Sequence, residues 1–146
     1  MKQVLLFASL LFATQAATAQ KGFKLATVQG SRITPVSSQI FNDTLLFRGD
    51  GLRVMSKPTL QSKGDFAYVQ VKIANKDGAQ VTAAFEIDRR TGYTSNFRFV
   101  CRGSCSNGGA CGFTYDGKGK INGCTCCSLD VERIPSRQLT AADLGL

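Results

Sequence analysis

The residues of this chain best suited to chemistry are its six cysteines. All fall between Cys101 and Cys127, spaced Cys101-x3-Cys105-x5-Cys111-x12-Cys124-x-Cys126-Cys127. Thiols at such density can form disulfides, bind a soft metal, or act as a redox nucleophile. An even number in an exported chain points first to disulfides. Six cysteines allow 15 pairings, and spacing alone does not choose among them. Neighbouring residues close a strained ring, so Cys126 and Cys127 are expected to reach two different partners. The alternative is a thiolate metal site for Cu(I) or Zn(II), drawn from Cys101, Cys105, Cys111, Cys124, Cys126 and Cys127, four of which would suffice for tetrahedral zinc. An oxidising compartment weighs against it. Redox catalysis needs a low-pKa thiol in an oxidoreductase scaffold, and no alternation of strands and helices is present.

Other catalytic chemistry is poorly supplied. The chain has no histidine. That removes the usual general base and excludes Ser-His-Asp and Cys-His catalysis. Glu86 and Asp88 share one strand face by spacing, and a solvated strand face is the favoured explanation of them. No glycine loop ends in Lys-Ser or Lys-Thr to cradle a phosphate. Asn42-Asp43-Thr44 is a glycosylation acceptor only in a host that glycosylates exported proteins. The chain is therefore expected to be non-enzymatic and to need no cofactor.

Short stretches resemble known families. Cys105-Ser106-Asn107-Gly108-Gly109-Ala110-Cys111, followed by Cys124-Thr125-Cys126, resembles the middle of an epidermal-growth-factor-like module. In that family a sixth cysteine lies several residues further on and pairs with the last of the Cys-x-Cys. Here the sixth, Cys127, is adjacent to Cys126. The spacings are also similar to those of cysteine-stabilised defensins, whose helix spans the first cysteine pair. Arg102-Gly103-Ser104 occupies that place here. The Cys-x-Cys and Cys-Cys steps resemble metallothionein-type ligation. Arg48-Gly49-Asp50 resembles the adhesion tripeptide of integrin ligands.

The compartment is read from the first residues. Lys2 precedes an apolar run from Val4 to Phe12, and Ala17-Thr18-Ala19 supplies small residues for a signal peptidase. Residues 1–19 are expected to be a cleaved secretory signal, with one domain over 20–146 and its cysteine-rich segment at 101–127. No later stretch is long and apolar enough to span a membrane after signal cleavage. The full chain carries a formal charge of +8. Without Lys2 it would have 17 basic and 10 acidic side chains, roughly +7. The basic residues are scattered, with no run above two, so nucleic acid is not expected as a partner. An extracellular protein or an anionic surface fits better. A cationic effector acting on anionic membranes is the further alternative.

The elements that must position the cysteines read as strands. Phe66 to Ile73 alternates, with Val69, Val71 and Ile73 opposite Gln70 and Lys72. Asn75-Lys76-Asp77-Gly78 is a turn, Val81 to Asp88 the partner strand, and Arg89-Arg90-Thr91-Gly92 a second turn. Tyr93 to Cys101 alternates again and delivers the chain into the cysteine window. Earlier, Gly22 to Gln29 is expected as a strand, and Thr44–Arg48 with Leu52–Met55 as a hairpin. Lys57 to Gly64 is expected as a link. Asp116 to Gly123 is expected as an excursion or hairpin, Leu129 to Ile134 as a last strand, and Thr140 as a helix cap.

The fold class expected is all-β or β-rich: a small antiparallel meander with a C-terminal, Gly-rich, disulfide-crosslinked loop segment. Phe113, Tyr115, Lys118 and Lys120 lie on the longest inter-cysteine loop and are the binding-surface candidates, since aromatic and basic groups on a rigid loop suit recognition.

Overall fold

The computed structural model describes residues 22–106 and 111–146. The export segment and the Asn107-Gly108-Gly109 part of the growth-factor-like motif lie outside the described residues. Among these, the elements in chain order are β1 (Ala26–Gln29), β2 (Arg32–Pro35), α1 (Ser38–Leu45), β3 (Arg53–Val54), β4 (Thr59–Lys63), β5 (Phe66–Ala74), β6 (Gln80–Ile87), β7 (Thr94–Arg102), β8 (Phe113–Tyr115), β9 (Ile121–Cys124), β10 (Ser128–Arg133) and α2 (Ala141–Leu144).

The expected meander forms the centre. β5, β6, β7 and β10 pair antiparallel in sequence order, and both β3 and β4 pair with β5 along its free edge. The turns are built as their residues dictate. Asn75 Oδ1 accepts hydrogen bonds from the backbone N–H groups of Asp77 and Ala79, both at 3.0 Å. Gly78 takes a φ of 85°, which glycine adopts without steric cost. In the next turn Asp88 Oδ1 accepts from the N–H groups of Arg90 and Thr91 at 2.8 and 2.9 Å.

The sheet is covered on both faces. On the inner face Val69, Val71, Ile73, Val81, Ala83, Phe85 and Ile87 pack with Leu25, Phe41, Leu45, Leu52, Leu139 and Leu144. On the outer face Tyr68, Ala84, Phe99 and Ile121 form a second, smaller cluster, flanked by Phe66, Phe113, Tyr115 and Leu129. β8 and β9 make the hairpin that supplies Ile121, Phe113 and Tyr115. Double coverage explains why Ala67, Tyr68 and Val69 are buried in succession within a strand whose side chains alternate.

Three expectations are corrected. The segment expected as the hairpin Thr44–Arg48 with Leu52–Met55 is instead the end of helix α1, a 3-10 turn at Arg48–Asp50, and a strand, β3, that pairs with β5. Ser37 caps α1 by accepting from the Ile40 N–H, and Phe41 and Leu45, four residues apart, bury one helical face. The link expected from Lys57 to Gly64 contains β4, which turns into β5 through Gly64. The strand expected over Gly22 to Gln29 is confined to Ala26–Gln29, and its partner is β2. At the C-terminus Thr140 caps α2 as expected, and Asp143 completes a capping box.

Candidate functional site

The cysteine segment is a small hairpin laid across the outer sheet face and stapled there. Cys101, the penultimate residue of β7, pairs with Cys124 at the end of β9. Cys105 pairs with Cys126, and Cys111 with Cys127. The pairing is first with fourth, second with fifth, third with sixth. Adjacent Cys126 and Cys127 thus reach different partners, and Cys126 does not take the terminal pairing of the growth-factor-like family. Cys101 and Cys105 are buried; Cys126 is exposed.

Polar contacts fix the hairpin as well. The Tyr68 hydroxyl donates to the Gly119 carbonyl at 3.4 Å and accepts from the Ile121 N–H at 3.3 Å. Gln70 Nε2 donates to the Tyr115 hydroxyl at 2.5 Å. Burial raises the Tyr68 phenol above its ordinary range against the Ile121 bond, which lowers it. Burial raises Tyr115 likewise. Asp116 Oδ1 ties the hairpin tip by accepting from the Lys118 and Lys120 N–H groups, both at 2.9 Å. Those backbone bonds, the one from Lys120 foremost, hold its carboxyl below the usual range.

The tip meets the β4–β5 turn backbone to backbone. A methyl group on Gly119 would stand 2.2 Å from the Lys63 carbonyl oxygen, and one on Gly64 2.3 Å from that of Lys118. Both glycines have positive φ. No other residue type allows this approach.

The sequence candidates therefore divide. Phe113 and Tyr115 are half-buried and pack into the outer cluster, so most of their apolar surface is structural. Lys118 and Lys120 are exposed. Of the four, Lys120 borders a hollow. That hollow has a volume of about 380 Å³ and is lined by Phe66, Glu86, Phe97, Phe99, Lys120 and Val131. The hairpin contributes Lys120 to its lining and the sheet strands contribute the rest. Phe97 is 40% exposed and Val131 50%, large apolar side chains that the hairpin leaves uncovered. By contrast, the hollow at Gly22 and Pro135 holds about 30 Å³, near the room one water needs.

Glu86 is half-buried in this hollow. Burial pushes its carboxyl above the usual carboxylate range, more than neighbouring Ser95 and Lys120 pull it down. It is not paired with Asp88. A bulge between Phe85 and Ile87 interrupts the strand, and Asp88 lies beyond its end, where the Arg90 and Thr91 N–H groups hold its carboxyl low.

Comparison with family models, curated proteins and solved structures finds no match to this chain.

The remaining motifs serve the fold. Asn42 Oδ1 accepts from the Val54 N–H at 2.9 Å. Arg48 pairs with Asp43, and Asp50 Oδ2 accepts from the Ala141 N–H at 2.7 Å, anchoring α2. Both charged ends of the Arg-Gly-Asp tripeptide are thus engaged within the molecule. No helix among the described residues is long and apolar enough to cross a membrane.

Sequence reasoning missed Phe66, Phe97, Phe99 and Val131 as site residues. The alternation of Phe97 and Phe99 on β7 places both on one face. The structure brings them, with Phe66 and Val131, to the lining of the hollow beside the hairpin.

Proposed function

We propose that the chain is an exported, non-enzymatic binding module whose disulfide-stapled hairpin forms one wall of a recognition hollow. The observation that carries this reading is the 380 Å³ apolar hollow beside the hairpin, with Phe97 and Val131 left exposed. Its size lies within the range of small-molecule sites, and its lining of aromatic side chains with two charged groups suits one. Export is supported by the N-terminal pattern of Lys2, the apolar run and Ala17-Thr18-Ala19, together with the three disulfides. The mature domain would begin near Gln20.

The test is binding of the fluorescent apolar probe 1-anilinonaphthalene-8-sulfonate to the oxidised protein and to Phe97→Ala. Saturable binding that falls at least tenfold in the variant supports the reading. Equal binding by both proteins overturns it.

A second reading rests on the cysteines. The Sγ atoms of Cys105, Cys111, Cys126 and Cys127 all lie within 4.8 Å of one another. Tetrahedral zinc thiolate needs sulfur–sulfur edges of about 3.8 Å, so small movements after reduction would close such a site. Cys101 and Cys124 stand outside this group. Intact mass separates the two readings. A denatured, non-reduced mass about six hydrogens below the reduced sequence supports three disulfides. A native mass carrying metal, with thiols that alkylate after chelation, supports the metal site.

A further inference from the structure

The charges around the hollow sharpen its ligand class, on the premise that the hollow is the binding site. Glu86 rises from the sheet and Lys120 from the hairpin, so opposite charges belong to two separate walls of one apolar space. Among the described residues the ion pairs join Asp43 to Arg48, Glu132 to Arg98, Asp130 and Glu132 to Arg102, and Asp143 to Arg137. Glu86 and Lys120 take part in none of them. Ser95 and Lys120 are the neighbours that lower the half-buried Glu86 carboxyl, yet Lys120 does not close on it to an ion-pair contact, so a ligand ammonium would add the close cationic partner that burial calls for. The rings of Phe66, Phe97 and Phe99 and the side chain of Val131 complete the lining of the same hollow.

We propose that the hollow binds a free α-amino acid with an apolar side chain, its ammonium on Glu86, its carboxylate on Lys120 and its side chain among Phe66, Phe97, Phe99 and Val131. A ligand with one charge satisfies one wall and leaves the charge on the other without a partner. A zwitterion satisfies both. The Lys120 stem is long and flexible, so its ammonium can follow the carboxylate, whereas the Glu86 stem is short and its strand is central in the sheet. The aromatic rings favour an apolar body and add a favourable face for the ammonium.

The experiment is a titration of the oxidised protein, followed by amide chemical shifts, with four probes: L-phenylalanine, 2-phenylethylamine, 3-phenylpropionate and neutral 2-phenylethanol. L-Phenylalanine is expected to bind about tenfold more tightly than either singly charged probe, the size of one charge-assisted contact. Glu86→Gln should weaken L-phenylalanine and 2-phenylethylamine about tenfold and strengthen 3-phenylpropionate, whose carboxylate Glu86 repels. Lys120→Met should do the converse. Both positions are solvent-accessible, Glu86→Gln is isosteric and Lys120→Met keeps an unbranched stem, so far-ultraviolet circular dichroism should match the parent. If all four probes bind equally, or the variants do not discriminate, the amino-acid assignment falls while the apolar site stands. If none binds, the hollow is not a site and both readings fall.

Discussion

The two faces of the central sheet are covered in different ways. The inner face is closed by α1, α2 and the segments around Leu25 and Leu52, all apolar side chains meeting apolar side chains without a crosslink. The outer face is covered by a three-stapled hairpin whose own cluster holds only four fully buried residues, Tyr68, Ala84, Phe99 and Ile121. Burial of a few rings stabilises a short hairpin too weakly to hold it, since an isolated two-stranded unit is marginal in water. The disulfides, the Tyr68 hydroxyl and the paired glycines supply what the apolar area lacks. The contrast teaches a division of labour. One face makes the fold, and the other carries a covering held by crosslinks and polar contacts.

The largest test breaks the inner face. Phe85 is fully buried and meets Phe41 edge-on with ring centroids 5.6 Å apart. Phe85→Ala is expected to cost about 3–5 kcal/mol in urea unfolding monitored by circular dichroism, and to unfold the whole domain cooperatively. A loss below about 1 kcal/mol would show that the inner face is not the main core.

Removing the staple nearest the sheet comes next. Cys101 and Cys124 are separated by 23 residues. The double change Cys101→Ala, Cys124→Ala is expected to cost about 3 kcal/mol on loop-closure grounds. The hairpin amides should then exchange with solvent faster than those of β5 and β6. Uniform acceleration through the sheet would contradict the division between the faces.

The backbone contact at the hairpin tip predicts a smaller effect. Gly119→Ala places a side chain at a φ of 87° and against the Lys63 carbonyl, with an expected cost of about 2 kcal/mol. Tyr68→Phe removes the hydroxyl contacts to Gly119 and Ile121 and should cost about 1 kcal/mol, with exchange at the Ile121 amide rising first.

The smallest effects separate the faces by pH. Asp143 accepts from Arg137 at 2.6 Å and closes the α2 capping box, bonds that hold its carboxyl far below its ordinary value. Its stabilisation is present above about pH 4 and is lost as pH falls further. Glu86 has the opposite sign. Its folded-state value is raised, so the folded protein favours the protonated form and gains from it as pH falls through that raised value. Asp143→Asn should flatten the acid limb of the stability profile below pH 4, and Glu86→Gln should remove a gain on acidification. The reverse assignment of signs in a urea series at several pH values would refute this account.

Much of this was legible in the chain itself. The period-two runs from Phe66 to Ile73 and from Tyr93 to Cys101 delimit β5 and β7 within a residue or two, because local alternation and turn chemistry act over a few residues. The Cys126–Cys127 step dictated divergent partners. Helix α1 was not legible, since Ser37, Phe41 and Leu45 form a capped apolar face of only two turns. The strand β4 was hidden by its turn-forming Ser62, Lys63 and Gly64, and is a strand because β5 offers it a free edge.

By itself, then, the sequence determined the class of structure, the central meander, the even-numbered thiol cluster and the exclusion of histidine chemistry. These depend on residue type and short-range spacing. Only the tertiary structure decided which cysteines pair, that Phe113 and Tyr115 turn inward, and that Glu86 and Lys120 face one hollow. Each of those is a meeting of segments well separated along the chain, and no local pattern encodes such a meeting.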